Sequence, residues 1–276
     1  ARFSSEKNVS WALDDTGTLT INLINEDVSS SEETWWGDYK PLIKSVILPE
    51  GITHIPPQLF RDCTNLTAVS LPNSLEKIHD FAFASCTSLE SIRIPGNANI
   101  GRYAFGGCTS LKTVEIFDPG YTYTHGSVSA DKFAFVGCFS LERITVNIDP
   151  ERREEGEYHM TSDEYGCLYL SDPHPDDGNT EKVLIQYPVG NTRTSFTIPA
   201  NCVVIGRPFS GCKYLTEILV DPNNPEYTSV DGCLIRDGVE FFAYPIGNLR
   251  STYTVPNGII GQTQQLGKIH IYGSYG

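Results

Sequence analysis

The sequence predicts a right-handed α/β solenoid with a parallel β-sheet on its concave side, short helical turns on its convex side and an N-terminal β-hairpin cap. Three observations lead to this prediction. A seven-residue motif, Phe-x-x-Cys-x-x-Leu, recurs along the chain, a short strand pattern follows it, and residues 1–42 show neither feature. A fixed period of about 20 to 50 residues is typical of stacked repeats, in which each unit buries its apolar face against the next.

The repeated motif supplies the core of the predicted solenoid. Its five copies place cysteine at positions 63, 86, 108, 138 and 212, and the first two steps between cysteines are 23 and 22 residues. Residues at equivalent positions of stacked units share one environment, so these cysteines are predicted to be reduced core thiols. Stacking would also hold their Cβ atoms about 5 Å apart, which is longer than a disulfide prefers. No CxxC pair is present, and zinc is therefore not expected.

A short strand follows the first three copies, at residues 66–72, 89–95 and 111–117. Its Leu-x-x-Ile-x-Ile pattern matches the strand of a leucine-rich repeat. Alternation along the first strand turns Val69 and Leu71 inward and Ser70 outward, and Thr67, at the start of the strand, is also expected to face out. The segments Phe81-Ala-Phe83 and Tyr103-Ala-Phe105 are predicted to fill the opposite side on short helical turns.

Three regions are predicted along the chain. Residues 1–42 form the cap, because two alternating segments flank Asp14-Asp-Thr-Gly17 as in a β-hairpin, and Trp35 and Trp36 are expected to pack against it. Residues 43–260 form the solenoid, with inserted hairpins near 165–188 and 230–245. These two hairpins begin at Cys167 and Cys233 and end in Tyr-Pro-x-Gly-Asn, which indicates a duplicated unit. Residues 261–276 form an irregular tail.

Charge and motif content narrow the classes of function. The chain carries 34 acidic and 20 basic residues, and its net charge of −14 disfavours nucleic acid and anionic membranes as partners. The six histidines are scattered, and neither HExxH nor GxSxG occurs, so no enzyme activity, cofactor or metal is predicted. A loop with Asp172, Asp176, Asp177 and Asn179 could bind Ca²⁺ through oxygen ligands, but a solvated hairpin tip explains it as well.

The outward strand positions are the predicted binding surface. Solenoid curvature makes such a face an extended platform for macromolecules, and its mixed polar side chains suit a protein or glycan better than a small molecule. The insertion at residues 117–132 adds exposed aromatic candidates, unless that loop packs its own tyrosines. The candidate binding residues are Thr67, Ser70, Glu90, Arg93, Lys112, Glu115, Glu142 and Arg143 on the strands, with Tyr121 and Tyr123 in the insertion.

Over roughly residues 9–260 the chain resembles the BspA-like leucine-rich-repeat family of bacterial and protist surface proteins. The resemblance rests on the repeat I-x-x-x-A-F-x-x-C-x-S/N-L-x-x-I-x-I-P, on the opening Trp11-Ala-Leu-Asp-Asp-Thr-Gly-Thr-Leu-Thr-Ile21 and on the G-x-L…Y-P-x-G hairpins. It implies a secreted or cell-surface location, and some members of the family adhere to host proteins or other microbes. We therefore predict a non-catalytic, monomeric protein that binds a host or microbial surface protein or glycan. A structural spacer that presents another domain and, more remotely, a glycan-acting hydrolase are the alternatives.

Overall fold

The computed structural model describes residues 2–5, 9–24, 36–118, 129–148, 159–173, 180–248, 252–254, 258–261 and 270–272. Its strands in chain order are β1 (Arg2–Ser5), β2 (Val9–Leu13), β3 (Thr18–Ile24), β4 (Ser45–Ile47), β5 (His54–Ile55), β6 (Ala68–Ser70), β7 (Lys77–Ile78), β8 (Ser91–Pro95), β9 (Asn99–Ile100), β10 (Thr113–Phe117), β11 (Arg143–Asn147), β12 (His159–Ser162), β13 (Leu168–Pro173), β14 (Thr180–Gln186), β15 (Ser195–Ile198), β16 (Cys202–Val204), β17 (Glu217–Val220), β18 (Tyr227–Val230), β19 (Cys233–Arg236), β20 (Glu240–Ala243), β21 (Thr252–Thr254), β22 (Ile260–Gly261) and β23 (His270–Tyr272). A 3₁₀-helix spans Gly37–Leu42.

The chain forms a β-solenoid of stacked coils, in which successive coils contribute to parallel ladders. Strands β4 and β6 pair in parallel, and so do β8, β10 and β11, where Ser91, Thr113 and Arg143 lie in register. A second parallel ladder joins β5, β7 and β9 and aligns Ile55, Ile78 and Ile100. The alternating pattern read from the sequence therefore forms coils as predicted, while the right hand of the coil stays a prediction.

The predicted helical turns opposite the strands were wrong for the described coils, where only Gly37–Leu42 is helical. Residues 81, 83 and 85 donate their N–H groups to carbonyls of the next coil at 2.7–3.0 Å, whereas residues 82, 84 and 86 donate to carbonyls three residues back at 3.0–3.3 Å. An α-helix requires every N–H to bond four residues back within its own segment. Because alternate N–H groups leave the segment for the next coil, a run of tight turns forms instead.

The buried hydrophobic residues that the structure describes form three clusters along the chain, and the first and largest contains a stack of aromatic rings. Phe60, Phe83, Phe105 and Phe135 are buried, and their rings stack at centroid distances of 5.0, 5.3 and 5.5 Å. Trp36 extends this column over Phe60 at 5.4 Å. Each aromatic side chain buries 150–250 Å² and contributes about 0.5–1.5 kcal/mol per ring pair beyond its area. The motif phenylalanine is therefore the main core residue of each coil.

The N-terminal strands begin the first sheet. Strands β2 and β3 pair antiparallel, and β3 then pairs in parallel with β4. Trp11 of this hairpin is buried and meets the Trp36 ring edge-on at 6.2 Å, as expected for Trp36, whereas Trp35 lies outside the described residues. Among the described residues, no helix is long and apolar enough to cross a membrane.

The two inserted hairpins share one topology. Strands β12, β13, β14 and β16 form one four-stranded sheet and β18, β19, β20 and β22 form another, each with two antiparallel pairings followed by a parallel one. Both carry a register shift at the equivalent step, Leu168/Tyr169 and Leu234/Ile235. Cys167 and Cys233 are thus equivalent, as the duplicated sequence pattern predicts. The boundaries assigned to cap, solenoid and tail stay predictions.

Candidate binding surface

The outward side of β6, β8, β10 and β11, with the residue before each strand, is called the strand face below. Its apolar partners point the other way: Ile92, Ile94, Val114, Ile116 and Ile144 are all at most 3% exposed. Because side chains alternate along a strand, the intervening positions must face outward. Seven of the eight predicted strand residues are exposed and Glu115 is half-buried; they are Thr67, Ser70, Glu90, Arg93, Lys112, Glu115, Glu142 and Arg143.

Arg93 and Glu115 form the best-defined pair on the strand face. They stand opposite each other in the register of β8 and β10, and Arg93 donates from Nε to Oε2 at 2.9 Å and from Nη2 to Oε1 at 3.4 Å. The Arg93 guanidinium also lies 4.6 Å from the centroid of the Phe117 ring. The contacts with Glu115 and with the Phe117 ring together favour one rotamer of the Arg93 side chain.

A second cross-strand pair lies one row away. Lys112 Nζ contacts Glu90 Oε2 at 3.0 Å. Exposed pairs of this kind contribute only about 0–1 kcal/mol to stability, so their role is to set a charge pattern rather than to hold the fold. All four residues are predicted binding residues, and the structure joins them into two ion pairs.

The remaining predicted residues surround these pairs. Thr67 donates its hydroxyl to the Lys44 carbonyl at 3.0 Å, and the Glu142 carbonyl accepts from Asn191 at 3.2 Å. Arg143 packs against Gly166 of the first inserted hairpin, where a Cβ would stand 2.8 Å from the Arg143 Cγ. The strand face thus continues up to the hairpin.

Several predicted candidates lie outside the described residues. These are Tyr121 and Tyr123 of the insertion and, in the acidic loop, Asp176, Asp177 and Asn179. Their proposed roles stay predictions. Over the described ranges, no group of three or more His, Cys, Asp or Glu side chains could hold a metal ion.

Comparison with known proteins agrees with this geometry. Residues 38–156 match the BspA type leucine-rich repeat region in six copies. Residues 38–156 therefore consist of BspA-type leucine-rich repeats. A leucine-rich repeat protein from Eubacterium ventriosum is similar in structure, with 21% identity, a TM-score of 0.59 and coverage of 98% of this chain and 71% of that one. The pneumococcal vaccine antigen PcpA is also similar, with 17% identity, a TM-score of 0.50 and coverage of 94% and 77%. No curated protein matches the sequence.

The cysteine of the BspA-type repeat is a core residue. All eight cysteines are buried, and none of them forms a disulfide within the described residues. The thiols of Cys86, Cys108 and Cys138 each donate to the carbonyl of a phenylalanine in the preceding coil, at 3.2, 3.2 and 3.1 Å. Burial raises the pKa of the Cys63 thiol to about 12. A buried thiol held in its protonated form is a poor nucleophile, so Cys63 is a packing residue.

The first aromatic residue of each Phe/Tyr-Ala-Phe segment lies at the surface of the turns. Phe83 and Phe105 are buried as predicted, but Phe81 and Tyr103 are half-buried at the surface of the turns. Residues two apart share a face only in an extended strand, whereas a tight turn rotates the chain between them. The only sequence signal was that an aromatic side chain occupies this position in three consecutive BspA-type coils.

Proposed function

We propose that the chain is a non-catalytic, secreted or cell-surface protein whose strand face binds a protein or glycan of a host or microbial surface. The observation that supports this best is the ordered charge pattern of the strand face, above all the Arg93–Glu115 pair held against Phe117. The extracellular location and the absence of catalysis are part of the proposal, and the match to BspA-type repeats supports both.

The charges of the strand face alternate across the coils. Residues just before the strands form one row, Glu90, Lys112 and Glu142, and a second row runs from Arg93 through Glu115 to Thr145 in the register of β8, β10 and β11. Alternating charge at about 4.8 Å spacing favours a partner that carries the complementary pattern. Such patterns give specificity and orientation more than raw affinity. A broad polar face of this kind fits a macromolecule.

A charge swap tests the proposal without changing net charge. The doubly substituted variant Arg93→Glu with Glu115→Arg keeps an opposite-charge pair at the same two positions but reverses its direction. Ligands are first captured by the parent chain from host extracellular matrix and mucus fractions and identified by mass spectrometry. We expect the swap to weaken binding of the identified ligand about tenfold or more, because two attractive contacts become repulsive.

The single variant Arg143→Glu examines the far edge of the same face and should also weaken binding. Unchanged circular dichroism and melting temperature of the swap variant separate loss of binding from loss of folding. If the swap and Arg143→Glu both bind the ligand as the parent does, the strand face is not the binding surface. If the parent captures no ligand from any fraction, the structural spacer becomes the better explanation.

A further inference from the structure

Two histidines of neighbouring coils contact each other at the second parallel ladder. His54 lies on β5 and His79 follows β7 directly, and their ring centroids are 5.6 Å apart with planes tilted by 37°. His54 stands in register with Lys77, and alternation turns the side chain of His79, two residues further on, to the same face. Both imidazoles are half-buried. They are called the histidine pair below.

The histidine pair lies beside the hydrogen bonds that join the first two coils. The Thr53 carbonyl accepts the N–H of Lys77 at 3.0 Å, and the Ile55 carbonyl accepts the N–H of His79 at 3.0 Å. The Thr53 hydroxyl oxygen also lies 2.9 Å from Nδ1 of His54, within hydrogen-bonding distance. Because the rings are attached to the residues that form these bonds, a change in their charge acts directly on the contact between the two coils.

The charges around the histidine pair come from β7 and from the turns that follow it and β9. Strand β7 contributes Lys77, and the turn after it contributes Asp80, and both act on the ring of His79. Asp80 is exposed, and its Oδ1 accepts the backbone N–H of Arg102, in the turn after β9, at 2.9 Å. Strand β9 places the uncharged Asn99 in register with Lys77. One ammonium and one carboxylate thus balance each other, and a protonated histidine pair adds two positive charges that they leave unopposed.

The environment of His79 favours its neutral form. Partial burial, the Lys77 ammonium and the ring of His54 lower the pKa of His79, and the Asp80 carboxylate opposes them. An unperturbed imidazole titrates near pH 6.5. Because the folded pKa is the lower one, the stabilisation is fully present above about pH 6.5 and is lost as pH falls through the folded pKa.

We propose that the histidine pair makes the contact between the first two coils sensitive to acid, so that protonation loosens the N-terminal end of the solenoid below about pH 6. Two like charges on rings 5.6 Å apart repel each other, and partial burial of the rings reduces the screening by water. The same two coils carry β4 and β6, which pair in parallel. Acid therefore loosens the end of the solenoid at which the strand face begins.

The test measures the melting temperature of the full chain at about pH 7.5 and about pH 5.5. We expect the parent to lose about 2–4 °C more between the two pH values than the double variant His54→Gln with His79→Gln, which keeps polar side chains but removes both titrating rings. The matched control is His159→Gln, which removes a half-buried histidine of β12 outside the pair. The control should lose as much as the parent does.

Hydrogen exchange locates the effect within the chain. After correction for the intrinsic pH dependence of exchange, the amides of β5 and β7 in the parent should open about tenfold more at the lower pH, whereas those of β10 should not. The single variant His79→Gln breaks the pair with a smaller change and should abolish this difference. The proposal is overturned if the double variant loses as much melting temperature as the parent, or if His159→Gln removes the difference equally well. It is also overturned if the added opening is spread evenly over all strands.

Discussion

The Cys108 thiol donates to the Phe83 carbonyl at 3.2 Å, and the same oxygen accepts the backbone N–H of Cys86 at 3.3 Å. The Phe83 carbonyl thus accepts one hydrogen bond from within its own turn and one from the next coil. The same arrangement recurs one coil earlier, where Cys86 donates to Phe60. The motif cysteine therefore acts as a link between coils as well as a small apolar side chain.

Loss of a cysteine whose thiol forms this hydrogen bond should lower the free energy of unfolding more than loss of a cysteine that only packs. Cys108→Ala is expected to lower the free energy of unfolding by about 1–2 kcal/mol, since it loses the thiol–carbonyl bond and a sulfur's volume. Cys212 is equally buried, but no thiol hydrogen bond of Cys212 is found within the described residues, so Cys212→Ala should cost about 1 kcal/mol or less. Urea unfolding followed by circular dichroism, with reductant present, measures both values. Equal losses for the two variants would show that the thiol hydrogen bonds contribute nothing.

The buried thiols should also weaken the fold at alkaline pH. Burial raises the pKa of Cys63 and of Cys202 to about 12, whereas an unfolded thiol titrates near pH 8.5. Because the folded pKa is the higher one, the stabilisation is fully present below about pH 8.5 and is lost as pH rises toward 12. Each thiol contributes a slope of about 1.4 kcal/mol per pH unit across that window.

Urea unfolding at about pH 8 and pH 10.5 measures this dependence. The variant Cys63→Ala should be less stable than the parent at pH 8 but should lose less stability between the two pH values. Substitution of Ser88, a half-buried hydroxyl two residues beyond Cys86, by alanine is the control and should leave the slope unchanged. A parallel pH dependence for the parent and Cys63→Ala would contradict the buried-thiol explanation.

The residue before each motif cysteine has a positive φ, in the left-handed region. Serine-to-glycine and glycine-to-serine substitutions at this position should therefore change stability in opposite directions. Ser85 and Gly107 have φ of +62° and +74°, and both donate their N–H to the next coil, at 2.7 and 2.8 Å. Ser85→Gly should raise the free energy of unfolding by about 0.5–1 kcal/mol, because relief of the left-handed strain exceeds the added entropy of glycine. Gly107→Ser should lower it by a similar amount.

Space does not complicate the second substitution, since a Cβ at Gly107 would meet its nearest neighbour, Ser85 Oγ, at 3.6 Å. Thermal and urea unfolding measure both changes. Ser88→Gly serves as the control. Ser88 lies outside the left-handed region, so glycine there only increases the conformational entropy lost on folding and should lower the free energy of unfolding. A stabilising Ser88→Gly, or a neutral Ser85→Gly, would rule out backbone strain as the cause.

Periodicity made the core predictable. Positions that repeat every 22 or 23 residues had to lie in equivalent environments, so Phe83 and Cys86 could be assigned to the core without a structure. Alternation then assigned Arg93 and Glu115 to the outside, where they are found. Their 22-residue separation, equal to one repeat, also places them opposite each other in adjacent strands, as found. The contact of Arg93 with the Phe117 ring was not predicted, because it depends on the side-chain rotamers.

The sequence by itself determined that the chain is a stack of repeats, which residues form its core and which strand positions face outward, because burial follows directly from period and alternation. Only the tertiary structure decided the form of the turns and the place of Phe81 and Tyr103. The physical reason is that alternate N–H groups of each turn bond to the next coil, so the turn conformation depends on a partner about 22 residues away. Those long-range bonds exclude a helix, impose left-handed residues and place an aromatic row at the surface.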